Sequence, residues 1–178
     1  MKTSKVAKRY ARALLGLSPD RGQLEAWAIE LDRLARIVEA PEIINMFASP
    51  QISPASKIEG LGKIAEKLDL SYPVRSFSAV VARHGRIEDF AAIADAYRRM
   101  LDDLMGRTRA TIIFAEEPSD EDRARVHAGL EAIAQKKVIP TVKTDGTLLG
   151  GVVVELEGKT YDGSLATRLA QLQQRLAG

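Results

Sequence analysis

Gly106-Arg107-Thr108-Arg109-Ala110-Thr111-Ile112-Ile113-Phe114-Ala115 is where the chain changes character. Thr108 to Ala115 is rich in β-branched residues and reads as a strand. Before Gly106, apolar residues recur at steps of three and four, the spacing of one helix face after another. After it, strand and helix patterns alternate. The boundary therefore separates a helical domain over residues 1–105 from a small α/β domain over residues 106–178.

Upstream, Thr3 or Ser4 is placed to cap a first helix carrying Val6, Ala7, Tyr10, Ala11, Ala13, Leu14 and Leu17, with Lys5, Lys8, Arg9 and Arg12 mostly opposite. Ser18-Pro19-Asp20-Arg21-Gly22 is a turn signal, and Leu24, Trp27, Leu31, Leu34, Ala35 and Val38 mark a second helix. Pro41 opens a short third helix. Ser53-Pro54 reads as an N-cap followed by Pro at the first helical position of a fourth. Tyr72-Pro73 starts a fifth, with Val74, Phe77, Val80 and Val81, which stops at His84-Gly85. A sixth carries Ile87, Phe90, Ile93, Ala94, Tyr97, Leu101 and Leu104. Six short helices with brief loops predict a bundle.

Downstream, Pro118-Ser119-Asp120-Glu121 opens a helix with acids in its first turn, where the helix dipole favours them. That helix is expected to run to Lys136-Lys137, and His127 to face solvent. Val138 to Lys143 and Val152 to Leu156 read as strands, the second preceded by Gly150-Gly151. Glu157-Gly158-Lys159 is a hairpin signal, and Ser164 an N-cap for a last helix with Leu165, Leu169, Leu172 and Leu176. The predicted fold is α+β in two domains: an N-terminal six-helix bundle, then a small α/β domain with a short mixed sheet.

Composition excludes much chemistry. The 178 residues include no Cys, which removes disulfides, thiolate metal sites and a Cys nucleophile, and only two His. Formal net charge is +2, less basic than a typical nucleic-acid binder. No stretch approaches the roughly 20 apolar residues that span a bilayer. The start, Met1-Lys2-Thr3-Ser4-Lys5, is followed by more charge rather than by an apolar signal core, so a secretory signal is not expected. The same helix fits the folded domain better than an organellar transit peptide. The missing Cys points to a reducing, cytoplasmic setting.

The motifs with chemical potential fail on context. Gly60-Leu61-Gly62-Lys63-Ile64-Ala65 has the letters of a dinucleotide fingerprint, but a helix, not a strand, precedes it. Close packing against a neighbouring helix is the expected reason for those glycines. His84 suits a helix end, Ser164 a cap, and the acids around Asp120 a solvated helix start. No catalytic, cofactor or metal residue is expected. What remains is surface: small residues beside larger apolar ones on helices one and five either pack on each other within the bundle, which spacing alone favours, or leave a groove suited to a partner's amphipathic helix. A second reading is a helical adaptor that uses the acid-free basic start of the chain on nucleic acid.

Three stretches decide between these. Ala7-Lys8-Arg9-Tyr10-Ala11-Arg12-Ala13-Leu14-Leu15 resembles the opening of the delta subunit of F-type ATP synthases, the oligomycin-sensitivity-conferring protein family. Val80-Val81-Ala82-Arg83-His84-Gly85-Arg86-Ile87 resembles that family's sequence at the end of its fifth helix. Leu148-Leu149-Gly150-Gly151-Val152-Val153-Val154, with Tyr161-Asp162-Gly163-Ser164 and Arg168-Leu169, resembles its C-terminal signature. The resemblance implies a non-catalytic subunit of the peripheral stalk, the stator that links the catalytic alpha/beta head to subunit b and the membrane sector. It implies that N-terminal segments of alpha subunits bind the helical domain, with Tyr10, Ala13, Leu14, Ser76, Phe77 and Val80 as the groove residues. It implies that the second domain contacts the C-terminal end of subunit b, with Leu165, Leu169, Leu172 and Leu176 in its core or contact face. It further implies a bacterial-type location on the cytoplasmic side of the inner membrane, with membrane association only through the complex and no nucleic acid.

Overall fold

The computed structural model describes residues 4–165 and Thr167. Among them the elements run α1 (Lys5–Leu15), α2 (Arg21–Val38), α3 (Pro41–Ala48), α4 (Pro54–Lys67), α5 (Tyr72–Arg83), α6 (Phe90–Leu104), β1 (Arg107–Phe114), α7 (Asp120–Ala134), β2 (Lys137–Thr144), β3 (Val152–Leu156) and β4 (Lys159–Asp162). Seven helices and one four-stranded sheet make the fold α+β. Side-chain caps set several helix starts. Ser4 accepts from the Val6 amide, Asp20 from Gly22, Ser53 from Ser56 and Ser119 from Asp122, each satisfying an amide that has no partner within its helix. Pro occupies the first turn of α3, α4 and α5, where its missing N–H costs nothing.

Three expectations need correction. Ile87 does not begin α6: Ile87–Asp89 form a 3₁₀ turn, and the helix starts at Phe90. α7 ends at Ala134, because Gln135 adopts a left-handed conformation, and Lys137 already pairs in β2. The glycines of α4 are not demanded by packing. A Cβ on Gly60 would meet Phe47 only at an ordinary 4.0 Å, and one on Gly62 would meet nothing within 4 Å. Nothing in the structure explains Gly62.

The chain divides into two compact units, Met1–Leu101 and Asp102–Gly178. The division falls inside the last turn of α6 rather than after residue 105. The buried Asp102 carboxylate accepts from Arg107 Nε at 2.8 Å and Arg109 Nε at 2.6 Å, which ties that turn to β1.

In the first unit, Tyr97 of α6 is fully buried and donates its hydroxyl to the Leu24 carbonyl of α2 at 3.0 Å. Burial pushes this phenol well above its ordinary range, so it stays a donor at every working pH. Arg98 of α6 pairs with Asp32 of α2. The start of α5 is held by α2: Glu30 accepts from the Ser71 amide at 2.9 Å and the Ser71 hydroxyl at 2.7 Å.

In the second unit the sheet order is β2-β1-β3-β4, with β1 parallel to β2 and antiparallel to β3. Ala110, Ile112 and Phe114 of β1, Val138 of β2, and Val154 and Leu156 of β3 share one face, which packs with Leu130 of α7. His127 does not simply face solvent. Its Nε2 donates to the Val138 carbonyl at 2.9 Å, while Glu131 accepts from the Val138 amide, so two residues of α7 grip β2.

The double glycine has a strict geometric cause. Gly151 sits at φ +90°, and a Cβ there would lie 2.5 Å from the Gly163 carbonyl oxygen. The approach is closed by backbone bonds, Gly163 N to Val152 O and Leu165 N to Gly150 O, both at 2.9 Å. Asp162 finishes the clasp by accepting from the Ser164 amide at 2.9 Å and the Thr167 hydroxyl at 2.7 Å. These bonds, the Ser164 amide first, hold its carboxyl below the ordinary 3.8.

Two outcomes follow. Gly151→Ala combines a disfavoured φ with a backbone clash and is expected to cost about 3 kcal/mol, read by denaturant unfolding. A depressed folded-state pKa gives stability that is complete above the unfolded value and fades as pH falls through the folded one. The melting temperatures of wild type and Asp162→Asn should therefore differ at neutral pH and converge below the ordinary Asp range.

Candidate docking groove

α1 carries two apolar stripes side by side. Ala7, Ala11 and Leu14 are buried. Tyr10 and Ala13, with Leu17 two residues past the helix end, lie next to them and stay partly or largely exposed, Leu17 at 65%. α5 repeats the arrangement. Val74, Phe77, Ser78 and Val81 are buried, while Pro73, Ser76 and Val80 form the neighbouring stripe. The two second stripes line a groove of about 750 Å³. Tyr10 sets its depth. Its ring meets Phe77 edge-on at 6.3 Å and His84 at 6.3 Å, so the N-terminal half of α1 lies beside the C-terminal end of α5.

α2 contributes Trp27 and Gln23, and Tyr72 opens the far end at 76% exposure. Two features fix the α5 wall. The buried Ser78 hydroxyl donates to the Val74 carbonyl at 2.7 Å. Gly85, at φ +64°, ends the helix and lets the Arg86 amide turn back to Val81. The His84 ring then donates through Nδ1 to the Val80 carbonyl at 2.8 Å.

Five of the six expected groove residues meet here: Tyr10, Ala13, Ser76, Phe77 and Val80. Leu14 does not. It is 0% exposed, because it belongs to the stripe that packs inward with Ala7 and Ala11. Sequence reasoning passed over Leu17, Trp27, Tyr72 and Pro73 as groove residues, although Leu17 continues the 10, 13, 17 spacing and signalled its place. Of the C-terminal leucines, Leu165 is 47% exposed and lies against Gly150. Leu169, Leu172 and Leu176 lie outside the described residues.

Among the described residues no group of three or more His, Asp or Glu is placed to hold a metal. No described helix is long and apolar enough to cross a membrane. The first unit thus carries an open apolar groove walled by two helices. Comparison with known proteins gives the chain a family. A profile described as ATP synthase delta (OSCP) subunit matches residues 6–176. The ATP synthase subunit delta of Geobacter sp. (strain M21) is 33% identical over 99% of this chain and 98% of its own. Those of Desulfatibacillum aliphaticivorans and Nitratidesulfovibrio vulgaris (strain DP4) are 32% and 34% identical over 99% and 96% of this chain, and 97% and 95% of theirs. A chain from the cryo-EM structure of the Toxoplasma gondii mitochondrial ATP synthase hexamer shares the fold, with a TM-score of 0.69 at 17% identity, covering 98% of this chain and 99% of that one. The chain belongs to the ATP synthase delta (OSCP) subunit family. It is a non-catalytic component of the peripheral stalk of an F-type ATP synthase.

The two stripes of α1 should separate in mutagenesis. Leu14→Ala is expected to lower unfolding free energy by about 3 kcal/mol, the cost of a buried cavity. Ala13→Ser, on the exposed stripe, should change it by less than about 0.5 kcal/mol in the same denaturant titration.

Proposed function

We propose that the groove between α1 and α5 seats N-terminal helical segments of the alpha subunits. In this reading the part of the chain before residue 106 is a six-helix docking domain for the catalytic head. The part from 106 to 178 contacts the C-terminal end of subunit b. The chain thereby holds the head against the torque of the rotor, on the cytoplasmic side of the inner membrane of a bacterial-type enzyme. It reaches that membrane only through the complex.

The observation that supports the reading is the groove itself: Tyr10, Ala13 and Leu17 facing Pro73, Ser76 and Val80 with Trp27 beneath them. An apolar trough between two helices is complementary to one amphipathic helix, with its anchors at steps of three and four. A stator must stay attached through many turnovers. Nanomolar binding corresponds to about 12 kcal/mol. Burial of apolar surface, at about 25 cal/mol per Å² before association costs, is the natural source of that energy.

Val80, at 41% exposure, can change without opening the core. Val80→Asp is expected to weaken binding to isolated catalytic head by about 100-fold while the far-UV circular dichroism stays native. Tyr10→Asp should weaken it as well. The single tryptophan, Trp27, lines the groove and should shift its emission when the site fills. Wild-type affinity in both variants would remove the groove from the function.

A further inference from the structure

The groove walls are unbalanced in charge to a degree the chain as a whole is not. α1 carries Lys5, Lys8, Arg9 and Arg12, and α5 carries Arg75 and Arg83; neither helix has a single acid. The whole protein is close to neutrality, with formal net charge +2. α2, which supplies the base of the groove, does contain acids. Of its three acids, Glu25, Glu30 and Asp32, none lines the groove; Glu30 is committed to Ser71, and Asp32 to Arg98. The neighbouring groove between α4 and α5 differs: Glu66 lines it together with Arg75. The lining of the α1–α5 groove holds no carboxylate.

The charge is also placed at one end. Arg9 lines the groove, its guanidinium 5.7 Å from the centre of the Tyr10 ring, and His84 stands against the same ring. Tyr72, at the other end of the α5 wall, and Gln23 of α2 carry no charge. Resting on the docking role proposed above, we infer that the partner is an amphipathic helix whose apolar stripe is flanked by carboxylates. Those carboxylates lie at the Arg9–His84 end. The apolar trough supplies affinity, and the cationic end selects among helices of similar apolar pattern and sets their direction. A nucleic acid would also answer to basic walls, but it gains nothing from an apolar trough; it is the alternative outcome of the test.

The probe is a synthetic peptide covering the N-terminal segment of the alpha subunit of the same enzyme, paired with a version in which every Asp and Glu is replaced by its amide. Both are titrated onto the full chain and onto Arg9→Glu, Arg9→Lys and Val80→Asp. Arg9→Glu is expected to bind the native peptide about five- to tenfold more weakly, and Arg9→Lys to recover most of the loss. The amide peptide should lose a similar factor on wild type and almost nothing on Arg9→Glu, and raised salt should narrow the gap between the peptides. Equal binding of the two peptides by wild type overturns the inference. So does wild-type affinity in Arg9→Glu; if Val80→Asp still weakens binding, the groove reading survives that result. If Val80→Asp binds as wild type does, the groove reading itself falls. Displacement of the native peptide by duplex DNA, steeply salt-dependent and indifferent to Val80→Asp, overturns the inference in favour of phosphate recognition.

Discussion

A helix can turn only one stripe toward a given neighbour, and α1 has two. Its first unit cannot bury both Ala7-Ala11-Leu14 and Tyr10-Ala13-Leu17, because the two lie at different angles around one axis. The inner stripe goes to the core. The outer one stays at the surface, where it contributes little to folding. α5 meets the same constraint with Pro73, Ser76 and Val80. The groove is what remains when two doubly apolar helices pack side by side and each spends only half of its greasy surface.

A groove made of leftovers would be imprecise without support, and the support comes from polar contacts. Glu30 grips the start of α5 from α2, Ser78 bonds back to its own helix, and Gly85 stops the helix so that His84 closes against Tyr10. Tyr97 fixes α6 to α2 through one buried hydroxyl. The second unit uses another device, the backbone clasp between Gly150-Gly151 and the turn at Gly163. The family signature in that region is thus a requirement for absent side chains rather than for a reactive one.

Much of the fold was legible, and for local reasons. Caps at Ser4, Asp20, Ser53 and Ser119, and Pro at first turns, act within a few residues and can be read from a line of sequence. The misreadings share a non-local cause. Leu14 belongs to a stripe adjacent to the exposed one, and only packing decides which of the two turns inward. His127 sits among charges, yet it finds the Val138 carbonyl on another element. Trp27 reads as core and is buried, so its second role at the base of the groove has no sequence signal at all.

The one-signed walls also bear on self-recognition. The protein owns a helix that would otherwise suit such a groove, since α1 presents Tyr10 and Ala13, with Leu17 following its C-terminal end. That helix is studded with cations and no anions, so offered to the groove of a second copy it would set like charge against like. Homotypic pairing through this face is thereby discouraged.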